Sequence, residues 1–467
     1  MEEMIKMGSE IDSISRKRIS NLLDEDSFVE IGSLISARST NYNLQPLAEA
    51  SDGVTTGYGQ IGGELVFIYA QNPDILGGSL GEMSCRKIAQ LYQKAAKLGA
   101  PIIAMLDSTG FRVQESIDGL EGFGEILASI ADASGAIPLF CVIYGQCGGG
   151  LGLIPSMSDF VFLEEEKGRL FVNSPNAIGD NYIEKLDTSS AKFQEKYNGI
   201  IDFAGDSLAI YHKICKLIEL LPHNVVDGNV IANCGDDLNR QCELTIDQCY
   251  DAHYCILQIA DYNEFIPYKE MFSPSLITGF ISLGGITTGI LANSDNKVGD
   301  QEKKRERMSA DDFSKGTDFV KYCDAYQIPL LTILHSEGFE TSEHSERRLL
   351  HEAARFTQAL HEATITKVNL IPKKIFGSIY SIMNSKSLSA DFTLAWIGAN
   401  IGAMPTEVAQ KLLKDDKQTI DFSAEKAAQH GFVDCVIEPE ATRIYLVSAF
   451  DMLYGKNETI AKKHSIK

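Results

Sequence analysis

The chain has 467 residues, 44% of them hydrophobic, and this length suits two domains better than a single hydrophobic core. The formal net charge is −22, so the average surface repels nucleic acid, and a DNA or RNA partner is not expected. The N-terminal segment carries acids, and no stretch of the chain approaches the ~18 apolar residues of a membrane span. These features predict a cytoplasmic protein whose cysteines are reduced thiols.

Apolar runs and amphipathic segments alternate along the first half of the chain. The runs 65–69, 102–106 and 137–143 predict strands. Two segments between them predict helices, whose buried faces are Ile88, Leu91, Tyr92 and Ala95 in the first and Leu120, Phe123, Leu127 and Ile130 in the second. Strands that alternate with helices are typical of the α/β class.

The chain also resembles itself at nearly constant spacing. TGYGQIGGELVFIYAQN begins at Thr56, and TGFISLGGITTGILANS begins at Thr278. Three more pairs recur in the same order and at a similar offset: LGAPIIAMLDSTGF with YQIPLLTILHSEGF, IPLFCVIYGQCGGGLG with ITKVNLIPKKIFGSIY, and SDFVF with ADFTLAW. Four collinear matches predict two copies of one fold, in domains 1–240 and 241–467, joined near the polar run 233–240.

The glycine-rich string GQCGGGLG, residues 145–152, follows a predicted strand and opens a short helix. Backbone N–H groups at such a helix start lack intrahelical acceptors, and Gly148, Gly149 and Gly150 allow close approach of a carbonyl, as an oxyanion hole requires. From this string alone, a tight turn packed against a neighbouring segment is the preferred interpretation, and a second such turn at Gly377 favours the oxyanion hole. The string lacks the GxGxxG pattern and a following GK[ST], so neither a dinucleotide site nor a phosphate loop is indicated.

Three other turns occupy strand ends, where open α/β folds bind ligands. The second copy places Gly377, Ser378 and Ile379 where the first has its glycine-rich turn. A further turn occurs twice, with Thr109, Gly110 and Phe111 in the first copy and Gly338 and Phe339 in the second. These positions are the remaining candidates for substrate binding.

No side-chain nucleophile is indicated, because the chain has no GxSxG or HExxH string and no Cys/His pair in a recognisable context. The spacings of His335, His344, His351 and His361 suit no common metal motif, and no metal site is predicted. His351 and His361 are expected on a helix surface. The run 302–307 is interpreted as a solvated loop rather than a clamp for coenzyme A phosphates.

The chain resembles the carboxyltransferase (β) subunits of propionyl-CoA and related acyl-CoA carboxylases, and those of the biotin-dependent methylmalonyl-CoA and glutaconyl-CoA decarboxylases. The strings that carry the resemblance include RKRISNLLDEDSFVEIG (16–32), LGGSLGEMSCRKI (76–88), GAPIIAMLDSTGFRVQES (99–116), GQCGGGLGLIPSMSDFVF (145–162), LITGFISLGGITTGILAN (276–293) and FVKYCDAYQIPLLTILHSEGF (319–339). The resemblance covers nearly the whole chain.

The resemblance implies two tandem crotonase (ClpP/crotonase-like) domains and a carboxyl transfer between carboxybiotin and the α- or γ-carbon of an acyl-CoA. Biotin then belongs to a separate carrier protein, and the acyl-CoA is a coenzyme A thioester substrate. Implied partners are a biotin carboxyl carrier protein, a biotin carboxylase or membrane decarboxylase subunit, and further copies of the chain in a dimer or hexamer. By position, Gly149 and Gly150 would hold one carbonyl, and the amides of Ser378 and Ile379 the other.

Some positions depart from the family pattern, which has Gly-Gly-Ala in place of Gly377-Ser378-Ile379 and Pro in place of Glu337. Ile379 is bulky for a site that takes a small acyl group. These departures motivate an alternative, a non-catalytic structural or regulatory paralogue that has kept the fold. A plain enoyl-CoA hydratase relative is less consistent with the sequence, because such enzymes need only one domain.

Overall fold

The structure is a computed structural model, which describes residues 13–38, 50–179, 185–226, 231–245, 251–293, 307–413 and 421–456. The chain divides into two compact units, Met1–Gly228 and Asn229–Lys467. The division precedes the predicted join, because residues 231–245 bond within the second unit. The Ala232 amide donates to the Gly285 carbonyl at 2.8 Å, and Arg240 donates to the carbonyls of Gln258 and Ala260, both at 2.9 Å.

The first unit is built on one mixed sheet. Its strands are β1 (Val29–Ile31), β2 (Val54–Ile61), β3 (Glu64–Gln71), β4 (Ile102–Ser108), β5 (Leu139–Gly148), β6 (Phe160–Glu164), β7 (Arg169–Phe171) and β8 (Phe203–Gly205). They lie in the order β1-β2-β3-β4-β5-β6-β8, and β7 pairs with β5. The β1-β2-β3 pairs are antiparallel, and the pairs from β3 to β8 are parallel.

The second unit repeats this topology. Its strands are β9 (Ile266–Tyr268), β10 (Leu276–Leu283), β11 (Ile286–Asn293), β12 (Arg307–Met308), β13 (Leu330–Ile333), β14 (Gly338–Phe339), β15 (Lys367–Ile371), β16 (Lys374–Phe376), β17 (Phe392–Trp396), β18 (Asn400–Gly402) and β19 (Cys435–Ile437). The main sheet runs β9-β10-β11-β13-β15-β17-β19, again antiparallel at one edge and parallel thereafter. Two short parallel pairs, β12-β14 and β16-β18, complete the unit. The predicted duplication is therefore visible in the order and direction of the strands.

Helices connect the strands in both units. In the first unit they are α1 (Ile14–Leu22), α2 (Glu82–Leu98), α3 (Ser116–Ala133), α4 (Leu153–Ser156), α5 (Ala191–Phe193) and α6 (Ser207–Leu220). In the second they are α7 (Ala252–Ile259), α8 (Ala310–Ala325), α9 (Glu343–Glu346), α10 (Leu349–Glu362), α11 (Ser378–Ile382), α12 (Thr406–Leu413), α13 (Ala424–Gln429) and α14 (Thr442–Leu453). Among the residues that the structure describes, no helix combines the length and apolarity that a membrane crossing requires.

The predicted strands correspond to β3, β4 and β5, and the predicted face of α2 is buried in the core. The predicted face of α3 needs one correction. Phe123 and Ile130 are buried, but Leu120 is 50% exposed, and Ile126 occupies the core instead. Gly122 allows α3 to lie close to α2, because a Cβ at this position would be 2.8 Å from the Cβ of Cys85. This close approach rotates the buried face away from Leu120.

Two buried lysines, Lys87 and Lys315, occupy matched places in the two copies of the fold. Lys87 on α2 donates from Nζ to the Val54 carbonyl at 2.6 Å, and Lys315 on α8 donates to the carbonyls of Phe272 and Leu276 at 2.8 and 2.7 Å. Each lysine thus joins the helix to the segment that begins the antiparallel hairpin. Hydrophobic periodicity does not predict these contacts. The only signal in the sequence is that the two lysines lie at corresponding positions of the repeat, within helices.

Burial lowers the pKa of Lys87 from 10.5 to about 8, against the opposing effect of Glu30 and Asp52. Between these values the unfolded chain binds more protons than the folded one, so this residue's contribution to stability increases with pH. We expect the unfolding free energy of the wild type, relative to Lys87→Met, to rise from pH 8 to 10 by at most about 1.4 kcal/mol per pH unit. Urea denaturation of both proteins across this range measures the difference, and a flat difference would contradict the assignment.

Candidate active site: two glycine turns

The first glycine-rich turn lies at the end of β5. The strand continues to Gly148, so the turn begins after this residue and not at Gly145, where the string starts. Gly149 has a φ of +63° and opens a 3₁₀ helix, Gly149–Gly152, which runs into α4. The amides of Gly149 and Gly150 belong to the first turn of this helical segment, where N–H groups have no intrahelical acceptor. Such amides are the donors from which a backbone oxyanion hole is made.

The glycines of this string serve two different purposes. A Cβ on Gly145 would lie 2.0 Å from Oδ1 of Asp107, and one on Gly148 would lie 2.5 Å from the ring of Phe171. These two glycines are therefore required for packing, as the alternative interpretation of the string holds. At Gly149, by contrast, no described atom lies within 4 Å of the Cβ position, and at Gly150 the nearest is a ring carbon of Phe111 at 3.6 Å. Open space is thus left where a carbonyl would approach.

The turn that carries Thr109, Gly110 and Phe111 follows β4. Oγ of Ser108 accepts from the Gly110 amide at 3.2 Å, and Gly110 has a φ of +120°, a conformation that favours glycine. The Phe111 ring meets that of Phe123 edge to face, with centroids 4.8 Å apart. The Phe111 ring also faces Gly150, where a Cβ would lie 3.6 Å from a ring carbon. The two turns are therefore neighbours within the first unit.

A buried ionic cluster, which sequence reasoning missed, holds this turn against the start of α2. The Arg112 guanidinium bonds to the carboxylate of Asp52 and, at 3.0 Å, to that of Glu115. The carboxylates in turn accept from the amides of Ser84 at 2.8 Å and Glu82 at 2.6 Å. Burial raises the pKa of Asp52, although Arg112 opposes the shift. Most of these contacts join segments that are distant along the chain, which explains why local patterns do not reveal the cluster.

The second turn lies at the junction of β16 and α11. Gly377, with a φ of +68°, is the N-cap of α11, and its amide donates to the Gly402 carbonyl at 3.0 Å. Ser378 is exposed at the first helical position, whereas the Ile379 side chain is 1% exposed and packs inward. The bulk of Ile379 therefore does not block the helix N-terminus, contrary to the expectation from its size. The amides of Ser378 and Ile379 stand in the first turn, as those of Gly149 and Gly150 do.

The turn after β13 has the same geometry as its counterpart after β4. Oγ of Ser336 accepts from the Gly338 amide at 3.2 Å, and Gly338 has a φ of +135°. Phe339 pairs with Met308 in the short β12-β14 sheet, and its ring lies 6.0 Å from that of Phe313. All the predicted site residues thus lie at strand ends or in the turns that follow them, in corresponding loops of the two units.

A further pair of matched contacts lies beside these turns. Oε1 of Gln71 accepts from the Asp107 amide at 2.8 Å, and Oδ1 of Asn293 accepts from the His335 amide at 2.7 Å. Gln71 and Asn293 end the two hairpins at matched positions of the repeat, so the duplication carries the contact although the residue types differ. In the sequence, the only indication of this contact is that both repeats have a side-chain amide at this position.

The second unit has a cavity of about 710 Å³ beside Ser378. It is lined by Gly377, Ser378, Tyr380, Ser381, Ile401, Gly402, Ala403, Asp421, Ser423, Lys426, Ala427, His430 and Phe432. Apolar and aromatic surfaces alternate here with a few polar groups, a composition typical of small-molecule sites. The first helical residue of α11 therefore opens onto space large enough for a ring system.

Cys147, the thiol within the glycine-rich string, is not placed to act as a nucleophile. Cys147 is 1% exposed, and burial raises the pKa of its thiol to about 12, so the thiolate is absent at neutral pH. His351 and His361 are exposed, as expected for a helix surface. Within the described ranges, no group of three or more His, Cys, Asp or Glu side chains is placed to hold a metal ion. Of the predicted loop 302–307, only Arg307 belongs to the described residues.

A crotonase-type α/β fold present twice, with backbone amides in the first turn of a helix that follows a strand in each copy, is the architecture of the acyl-CoA carboxyltransferase class. The chain belongs to the carboxyl transferase family, since the profile of the carboxyl transferase domain matches residues 8–466. The predicted family and fold class are thereby confirmed.

Similar proteins span almost the whole chain. The methylmalonyl-CoA decarboxylase subunit alpha of Propionigenium modestum is 34% identical, over 96% of this chain and 92% of the relative. The propionyl-CoA carboxylase beta chain of Roseobacter denitrificans is 32% identical over the same shares. The transcarboxylase 12S crystal structure, a hexamer with methylmalonyl-coenzyme A bound, superposes with a TM-score of 0.88 at 28% identity and covers 99% of this chain and 94% of that one.

Proposed function

We propose that this chain is the carboxyltransferase subunit of a biotin-dependent acyl-CoA carboxylase or decarboxylase. It transfers a carboxyl group between carboxybiotin, held on a separate carrier protein, and the α- or γ-carbon of an acyl-CoA. The observation that carries the proposal is the pair of strand–turn–helix amide sites, at Gly149 and Gly150 and at Ser378 and Ile379, one in each unit. A transfer between two carbonyl compounds needs two such sites.

In the proposed reaction, this chain contributes backbone N–H donors and open space for the two carbonyl groups. At one turn, two amides would bind the thioester oxygen as it gains negative charge, which stabilises the enolate and makes the acyl carbon nucleophilic. At the other turn, two amides would bind the second carbonyl oxygen in the same way. Biotin would supply the ureido group that carries the carboxyl. Over the whole transfer the carboxyl group and a proton of the acyl carbon exchange places, because biotin that has lost CO₂ ends with an N–H at that nitrogen. The open position at Gly149 and the cavity beside Ser378 leave room for these groups.

The buried side chain of Ile379 favours the enzyme over the non-catalytic alternative. The family departures at positions 378 and 379 change side chains, whereas the proposed donors are amides. Gly377, the one residue of this turn that needs a positive φ, is retained. The departures thus leave the proposed backbone donors of this turn in place.

The direct test is carboxyl transfer by the purified chain from methylmalonyl-CoA or malonyl-CoA to free biotin, followed as acyl-CoA product formation. We expect biotin-dependent turnover with at least one member of a panel of carboxylated acyl-CoAs. Calorimetry first identifies which members bind. Binding of acyl-CoA without any transfer to biotin would favour the non-catalytic paralogue.

Partners follow from the same proposal. The chain would act with a biotin carboxyl carrier protein and with a biotin carboxylase or a membrane decarboxylase subunit. A cytoplasmic location is consistent with the nine described cysteines, all of which are free.

We also propose that copies of the chain assemble, because the resemblance implies an active site shared between the N-domain of one subunit and the C-domain of another. Sedimentation velocity at micromolar concentration is expected to show a dimer or a hexamer. A monomer with full transfer activity would contradict the shared site.

A further inference from the structure

One ion pair distinguishes the second turn from the first. Nζ of Lys374, on β16, lies 2.6 Å from Oε1 of Glu337, in the turn after β13. The two side chains are 21% and 34% exposed, so the pair is half-buried at the edge of the site. Along the chain, Lys374 shortly precedes Gly377.

The duplication provides an internal comparison. In the first unit, the residues that correspond to Glu337 and Lys374 are Thr109 and Gln146, in the matching turn and strand. Threonine and glutamine cannot form an ion pair. The two charges are therefore an addition to the second site and not a requirement of the fold.

Backbone hydrogen bonds join the same two segments as the ion pair. The Ser336 amide donates to the Lys374 carbonyl at 2.9 Å, and the Phe376 amide donates to the Ser336 carbonyl at 3.1 Å. Phe376 immediately precedes Gly377, the N-cap of α11. The ion pair thus closes a short ladder that ends at the proposed amide donors. Because Glu337 neutralises Lys374, the pair adds little net charge to the site, and its effect is on geometry.

We propose that Glu337 and Lys374 are a positioning pair, which holds the Gly377 turn so that the amides of Ser378 and Ile379 point at the oxygen they stabilise. This inference rests on the proposed function. Looser alignment weakens interactions made in the transition state more than those made in the ground state, so kcat falls while KM changes little. A shift of the donors by about 1 Å costs on the order of 100-fold in rate, and a partly loosened turn is expected to cost about 10-fold.

The test is a double-mutant cycle on carboxyl transfer to free biotin. Glu337→Gln and Lys374→Gln are each expected to lower kcat about 10-fold, with KM for both substrates within about twofold of wild type. The double variant should be no worse than either single one, because both remove the same interaction. Exchanging the charges, with Glu337→Lys and Lys374→Glu together, should restore most of the lost rate.

Lys386→Gln is the matched control, because it breaks the Lys386–Asp434 ion pair in the same unit without touching the turn. It should leave kcat and KM unchanged. If the wild type is active and the Glu337→Gln and Lys374→Gln variants are equally active, the positioning role is wrong but the proposed function stands. A charge exchange that stays as slow as Lys374→Gln would also overturn it, because the ammonium itself would then be required at its own position. A wild type that transfers no carboxyl group would instead refute the proposed function.

Discussion

Replacing Gly150 with valine is expected to lower the rate of carboxyl transfer by about 100- to 1000-fold, the loss that removal of one oxyanion donor causes. The valine side chain would occupy the space between Gly150 and the rings of Phe111 and Phe123, and it would narrow the approach of a carbonyl to the amides of Gly149 and Gly150. Transfer from a matched acyl-CoA to free biotin measures the effect.

The fold should tolerate this change. Gly150 does not have a positive φ, and its Cβ would make ordinary contacts of 3.6–3.8 Å with the rings of Phe111 and Phe123. The stability cost is therefore expected to be about 1–2 kcal/mol, within the usual range for a point substitution. Gly149 is a less suitable target, because its φ of +63° would strain any side chain. Thermal melts of Gly150→Val separate lost activity from lost fold.

Cys147→Ser is the control from the same strand. Because burial keeps the Cys147 thiol protonated, a hydroxyl in its place should alter stability more than rate. Full activity of Gly150→Val, or complete inactivity of a well-folded Cys147→Ser, would refute the assignment of an oxyanion hole at this turn.

Much of the fold was predictable from the sequence, because the duplication shows the same order of strands and turns in two segments of the chain. Residues 65–69 and 102–106 read as buried strands, and they are β3 and β4. The nearly constant offset placed Gly377 opposite Gly149, and both have positive φ. Local composition and spacing were sufficient to predict those features that depend on one short segment, such as a buried strand or a turn with a positive φ.

Contacts between distant segments were not predictable in this way. The sequence does not show that Gly145 and Gly148 are needed for packing against Asp107 and Phe171, because these partners are far away along the chain. Nor does it show that Ile379 points into the core, since its size alone suggested an obstruction. The direction of a side chain at the start of a short helix depends on the tertiary packing around it.

The second turn can be tested by deleting one backbone donor. Ser378→Pro removes the Ser378 N–H, and proline is well tolerated at the first position of a helix, where its fixed φ fits and its missing N–H has no intrahelical acceptor. We expect transfer to fall by about 100- to 1000-fold if this amide stabilises a developing oxyanion. The melting temperature should change little. Transfer kinetics and thermal melts are measured on the same preparation.

Ser378→Ala is the matched control, because it removes the exposed hydroxyl and keeps the amide. It should retain the wild-type rate if the donor is the backbone, and the difference between proline and alanine then isolates a single N–H group. Equal loss in both variants would assign the role to the hydroxyl instead. Full activity of both, in a wild type that transfers carboxyl groups, would show that the Ser378 amide is not a donor in the reaction. The Gly377 turn would then have a structural role, and the oxyanion chemistry would rest on Gly149 and Gly150.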